Sequence, residues 1–299
     1  MATLHEALSH AAHGAVAGRV DDAVVRLAGP DARRFANGMF TNNIRDLKVG
    51  GFCRSFGLDD RGRIVAQLDV HCAADDAFVC TVEGEVETFV ERYQKFLLFD
   101  DVDLSHDTDV VLTVQGPSAR AAVGLAGLDL VLPRSRSPWG GVDVVVPAHD
   151  AEAALLELGR HATLVTSGDL DVLRVMAGQV RWPEDIGEKR LPAELDVRDS
   201  HLSFEKGCYI GQESVNRIDV MGKVRRGLAL MKVSGEVPAV GTPVTAEGAS
   251  VGSVTSVASL PGGEGLALAV VRKPHDTPGV VMELGSSRGT VIRRPYRLT

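Results

Sequence analysis

The 299 residues, 44% hydrophobic and 24% charged, describe a globular chain too long for one core, so two or three domains are expected. A net charge of −8 argues against a broad nucleic-acid footprint, which needs clustered Lys and Arg. No stretch approaches the roughly 20 apolar residues of a membrane span, and Met1 to Glu6 lack the basic and apolar regions of a signal peptide, so the cytoplasm is the expected compartment.

In chain order, Gly29-Pro30 opens a short helix over 31–37, since Pro is tolerated at a helix start. An antiparallel meander follows: a strand from Arg54, the turn Asp59-Asp60-Arg61-Gly62, an alternating strand over 63–70, and a third over 77–82. Residues 85–98 place Val86, Phe89, Val90, Tyr93 and Leu97 at helical spacing, with Glu85, Glu87 and Glu91 off the stripe, which predicts an amphipathic helix on a sheet. Next come strands over 110–114 and 142–146, helices over 118–123 and 151–161, and a strand over 170–176. Mixed units of this kind define α+β modules, not a doubly wound parallel sheet. Beyond Gly222, short β runs at 227–233, 252–259 and 265–272 separated by Gly and Pro predict a small β-barrel or sandwich. The expected regions are 1–105, 106–222 and 223–299, with the first two open to interleaving.

Cys53, Cys72, Cys80 and Cys208 show no C-x-x-C pair or zinc-like spacing, and no metal site is expected. The first three sit in apolar, strand-like surroundings and read as reduced core residues. A stable iron–sulfur cluster held by this chain alone is not expected, because such clusters usually take four thiolates. Cys208 stands apart, in Lys206-Gly207-Cys208-Tyr209-Ile210-Gly211-Gln212-Glu213. Two glycines favour a tight bend, and a neighbouring Lys can raise the thiolate fraction of an accessible cysteine, which Glu213 would oppose at close range. The plainer alternative is a buried cysteine filling a turn, with Lys206 solvating it.

The octapeptide resembles the K-G-C-Y-x-G-Q-E signature of the YgfZ family, folate-binding proteins built like the aminomethyltransferase (T-protein) of the glycine cleavage system. The resemblance continues in order along the chain. Phe35 to Ile44 is similar to an F-L-Q-G-x-x-T-N-D-V stretch, Gln115-Gly116-Pro117 to a Q-G-P, and Gly252 to Ser256 with Gly265 to Ala269 to barrel strands G-x-V-T-S and I-A-L-A. It implies three domains in a ring around a central channel: two α+β modules, a C-terminal β-barrel, and tetrahydrofolate or a one-carbon derivative in the channel. It also implies service to iron–sulfur client or assembly proteins, and it is compatible with a monomer.

Aligned on the T-protein, Ala66 and Gln67 fall on its D-D-L aspartates, and Met176 falls on the carboxylate of its L-R-L-E-A-G strand. An amide or a thioether cannot exchange a proton as a carboxylate does, so one-carbon transfer by that mechanism is disfavoured while folate binding is not. Cys208, with Lys206, Tyr209, Gln212 and Glu213 around it, is the expected centre of any chemistry. Asn42, Gln67, Arg174, Met176, Trp182 and Arg217 are the candidate folate contacts. The cations Arg217, Lys223, Arg225 and Arg226 fit a glutamate tail or, equally, a solvated surface. A folate-dependent aminomethyl- or methyltransferase is the alternative activity, and a non-catalytic interaction module a third.

Overall fold

The computed structural model of the chain describes residues 2–106, 108–187, 189–222 and 224–297. Its first elements are α1 (Leu4–His13), β1 (Val16–Val20), β2 (Ala23–Ala28), α2 (Ala32–Met39), β3 (Phe52–Leu58), β4 (Ile64–Ala74), β5 (Ala77–Val82) and α3 (Val86–Gln94). The middle of the chain holds β6 (Asp103–His106), β7 (Val110–Gln115), α4 (Ala119–Leu125), β8 (Val131–Leu132), β9 (Gly141–Val146), α5 (Ala151–Leu158), β10 (Thr163–Leu164) and α6 (Ser167–Ala177). Two short helices, α7 (Arg198–His201) and α8 (Gln212–Met221), precede β11 (Arg226–Ser234), β12 (Pro243–Ala246), β13 (Ala249–Ser259), β14 (Gly265–Arg272), β15 (Val281–Leu284) and β16 (Ser287–Ile292). Among the described residues no helix is long and apolar enough to cross a membrane.

These elements form two compact units. One comprises Asp21–Val111 and Ile186–Lys223, so the octapeptide folds with the early meander despite lying over a hundred residues later. Its sheet runs β3-β4-β5-β2-β6. Alternation along β4 sends Leu68, Val70 and Cys72 into an apolar core with Phe35, Ala36 and Phe40 from α2 and its end, and Phe89, Val90 and Tyr93 from α3. The rings of Phe40, Phe89 and Tyr93 meet with centroids 4.6–6.0 Å apart, each good pair adding about 0.5–1.5 kcal/mol beyond its buried area. Cys72 and Cys80 lie buried in this core, and the half-buried Cys53 packs against it.

The other unit comprises Met1–Val20, Leu112–Asp185 and Val224–Thr299. It contains a sheet of order β10-β1-β7-β9-β8 and a closed barrel, β11-β14-β13-β12-β15-β16. Every second barrel residue points inward, so Ala229, Met231 and Val233 on β11 meet Ala267, Ala269 and Val271 on β14 in one core. The expected strand over 170–176 is instead helix α6. Its β-branched residues suggest a strand, yet Leu170, Leu173 and Arg174 recur at helical spacing and are buried. Thr166 and Asp169 start it with a capping box, the Thr166 hydroxyl accepting from the Asp169 amide at 3.2 Å.

Candidate functional site

The octapeptide is shaped by the loop that follows α2. Asn37 Oδ1 accepts from the Ile44 and Arg45 amides at 3.1 Å each, closing that loop on itself. Thr41 pairs with Phe56 in both directions: its amide donates to the Phe56 carbonyl and its hydroxyl accepts from the Phe56 amide at 2.9 Å. Asn42 donates from Nδ2 to the carbonyls of Arg54 and Ser200, at 2.8 and 3.2 Å, and its Oδ1 accepts from the Asn43 amide. Its side chain is therefore engaged within the unit, and Asn42 fixes the loop in place.

Residues 203–210 arch over this loop. The Ser203 amide donates to the Thr41 carbonyl at 3.1 Å, and the Ile210 amide donates to the Gly38 carbonyl at 3.2 Å. Between these ties Lys206 is 6% exposed and Tyr209 7%, whereas Gly207 and Cys208 are exposed. Lys206 Nζ donates to the carbonyls of Asn37, Phe40 and Asn42 at 2.5–2.8 Å. It also lies 4.9 Å from the centroid of the Tyr209 ring, a cation–π approach. Burial pushes Lys206 down to about 7, opposed by the Cys53 thiol and reinforced by Arg45. The thiol that responds to Lys206 is thus Cys53, which burial and Asp69 nonetheless push up to about 12. Burial pushes the Tyr209 phenol up to about 12 as well, and its hydroxyl has no hydrogen-bond partner among the described residues. Cys208 is exposed, so the buried-cysteine alternative does not hold.

Gly211 ends the arch and caps α8 at φ +81°, a left-handed conformation. A methyl group there would lie 2.6 Å from the Asp59 carbonyl oxygen and 3.0 Å from Gly62 Cα. Gly62, itself at φ +77°, would meet Ser214 in turn. The tip of the β3–β4 hairpin and the start of α8 therefore close backbone to backbone. Glu213 sits exposed in the first turn of α8, where a carboxylate favours the helix N-terminus, and Gln212 is half-buried beside it. Arg217 is exposed on the same helix, and Lys223 lies outside the described residues. Arg225 and Arg226 belong to the other unit and are exposed there.

Gln67 opens a second arrangement. Cross-strand pairing sets Gln67 opposite Phe56, Asp69 opposite Arg54 and Thr81, and His71 opposite Phe52 and Val79, on the face of the sheet away from the apolar core. That face is polar yet buried: Gln67 is 2% exposed, Asp69 4% and His71 8%. Gln67 Nε2 donates to Glu83 Oε1 at 2.8 Å, and Arg54 stands 3.5 Å from Asp69. Thr81 Oγ1 and His71 Nδ1 are buried without a hydrogen-bond partner among the described residues. Buried polar atoms are ordinarily paired, so these two depart from the usual pattern. No local sequence signal marks Glu83, Asp69 or Arg54 as site residues. Alternation from Gln67 places Asp69 on its face, but Glu83 needs the strand register.

Arg174, Met176 and Trp182 belong to the other unit. Arg174 is committed internally: it donates to Asp171, to the Gln179 carbonyl, to Asp185 Oδ2 and to Ser256 Oγ, each at 2.7–2.8 Å. This ties α6 to the barrel and leaves the guanidinium unsuited to a ligand carboxylate. Met176 is fully buried in α6, and Trp182 is half-buried.

Residues 22–140 match the GCVT N-terminal domain, and residues 225–276 match the CAF17 C-terminal β-barrel domain. The tRNA-modifying protein YgfZ of Aliivibrio fischeri is 23% identical over 241 residues, covering 75% of this chain and 73% of that protein. An aminomethyltransferase of Halothermothrix orenii is 24% identical over 91% of this chain and 85% of its own. The mitochondrial iron–sulfur cluster assembly factor IBA57 homologue of Pyricularia oryzae is 26% identical over 68% of this chain and 53% of its own. The crystal structure of aminomethyltransferase T from Bartonella henselae superposes with a TM-score of 0.87 at 19% identity, over 99% of this chain and 91% of that one. The chain has the mixed α+β fold of the glycine cleavage aminomethyltransferases, closed by a six-stranded barrel. The two domain matches, the YgfZ-named relatives and the aminomethyltransferase-like fold are together consistent with a YgfZ-type member of that superfamily.

Proposed function

We propose that this protein is a tetrahydrofolate-binding accessory factor for the synthesis or repair of iron–sulfur proteins, with the Cys208 thiol as its working group. The observation that carries the reading is the arch: a free cysteine exposed between two buried anchors, Lys206 and Tyr209. An exposed thiol can attack a disulfide, take up an oxidised adduct or touch a metal in passing. The names of its relatives, an iron–sulfur cluster assembly factor and a tRNA-modifying protein, support a role of this kind.

The residues present fit a folate. Gln67, Glu83, Asp69, Thr81 and His71 line one sheet face with donors and acceptors for a pterin edge, and Thr81 Oγ1 and His71 Nδ1 have no partner among the described residues. These side chains would bind and orient the group. When bound, tetrahydrofolate supplies one-carbon carrier chemistry. A second reading, folate-dependent aminomethyl transfer, is favoured by Glu83, a carboxylate 2.8 Å from the Gln67 amide in the region where Ala66 and Gln67 replace the T-protein's acids.

Calorimetric titration with tetrahydrofolate tests the ligand. Saturable binding weakened more than about tenfold by Thr81→Val with Glu83→Gln agrees with the proposal. No binding by the wild type removes folate from the account. Turnover of a methylene-folate donor would favour the transferase.

A further inference from the structure

The octapeptide contains a cation two residues from an exposed thiol, and the simplest use of that cation is to ionise the thiol. The geometry assigns it elsewhere. We infer that Lys206 is a positioning residue, whose side chain bolts residues 203–210 to the end of α2 and so holds Cys208 at the crest of an anchored arch.

Three observations carry this. First, Lys206 Nζ is aimed at carbonyls that need a donor. Asn37 lies in the last turn of α2, and the Thr41 amide that would close on its carbonyl donates to Phe56 instead. Phe40 and Asn42 lie just beyond, and a lysine there also offsets the negative end of the helix. Second, the backbone ties at Ser203 and Ile210 flank Lys206, so the side chain fastens the middle of a span already held at both ends. Third, Lys206 and Tyr209 are buried while Gly207 and Cys208 are exposed, which puts the ammonium and the Cys208 thiol on opposite sides of the arch.

The inference rests on Cys208 as the working thiol only for its functional consequence; the arch can be read without it. The test uses the full-length protein with Lys206→Met and Lys206→Arg, checked for folding by circular dichroism. It measures the pH profile of Cys208 alkylation, alkylation of Cys53, and amide exchange at Ser203 and Ile210. For Lys206→Met the expected results are at least about tenfold faster exchange at both amides and onset of Cys53 labelling, with the midpoint of the Cys208 profile moved by less than about 0.3 pH unit. Lys206→Arg keeps a cation but cannot converge a planar fork on three carbonyls, so it should loosen the arch too. A Cys208 midpoint raised by about one unit in Lys206→Met, retained in Lys206→Arg, with both amides still protected, would overturn the inference. So would unchanged exchange in both variants. If Lys206→Met does not fold, Lys206→Arg decides alone, since the two ideas predict opposite exchange for it. Loss of iron–sulfur client support with Cys208→Ala, read separately, keeps failure of the functional proposal distinct from failure of the arch.

Discussion

The two glycines of the octapeptide should differ sharply when each is replaced by alanine. At Gly211 the backbone sits at φ +81° and a methyl group would lie 2.6 Å from the Asp59 carbonyl oxygen. A left-handed conformation costs a non-glycine residue about 1–2 kcal/mol. Forcing a methyl group against backbone adds about 1–3 kcal/mol, because no flexible side chain can swing aside. The sum is about 2–5 kcal/mol for Gly211→Ala. Gly207 has no positive φ and nothing within 4 Å of where a Cβ would stand. Gly207→Ala should therefore be neutral or stabilising by up to about 1 kcal/mol, through a less flexible unfolded chain. Urea unfolding followed by circular dichroism measures both. With a slope of about 2–3 kcal/mol/M, the Gly211 variant should lose about 1–2 M in midpoint and the Gly207 variant essentially none. Equal losses, or a neutral Gly211→Ala, would refute the close backbone contact between hairpin tip and motif.

Other outcomes follow from the same geometry. A small alkylating probe at pH 8 should modify Cys208 and leave Cys53 and Cys80 untouched, since both are shielded and burial raises both thiols; equal labelling of all would contradict the burial pattern. The unfolded chain loses protons from Cys53 above about 9 and from Tyr209 above about 10, while the folded protein keeps them until about 12, so stability should fall with rising pH across that window. Lys206 acts in the opposite sense between about 7 and 10.5, so the fall should be clearest above 10.5 in pH-dependent urea midpoints. Arg174→Met strands the buried Asp185 carboxylate and should cost about 3–5 kcal/mol in a thermal or urea melt, with a shift under 1 kcal/mol refuting the strut. Gly207→Leu should leave small-probe alkylation of Cys208 intact yet lower support of client enzymes, if the bare crest serves a macromolecular partner.

Periodicity made much of the fold legible. The meander with its amphipathic helix and the β-rich C-terminal region follow from alternation and helical spacing, as found in β3 to β5, α3 and the barrel. At residues 170–176 Val172 and Val175 favour a strand locally, whereas the capping box at Thr166 and the buried stripe decide for helix. At the site, the motif located Cys208, but local sequence suggested a Lys206–Cys208 partnership that burial reverses. Which carbonyls Lys206 reaches depends on a loop more than 160 positions earlier, and no local pattern encodes that. Arg174 and Asn42 lie in stretches that resemble the family's L-R-L-E-A-G and T-N-D-V runs, which makes them ligand candidates in sequence. Their hydrogen bonds are spent within the protein, and long-range packing determines that.

The most direct test of the account is complementation of cells lacking their own YgfZ-like protein, reading the activity of an iron–sulfur enzyme at matched soluble levels of wild type and Cys208→Ala. Wild type should restore activity, and the alanine variant should restore little or none. Equal rescue by both would contradict the role given to Cys208, and rescue by neither would contradict the accessory function itself.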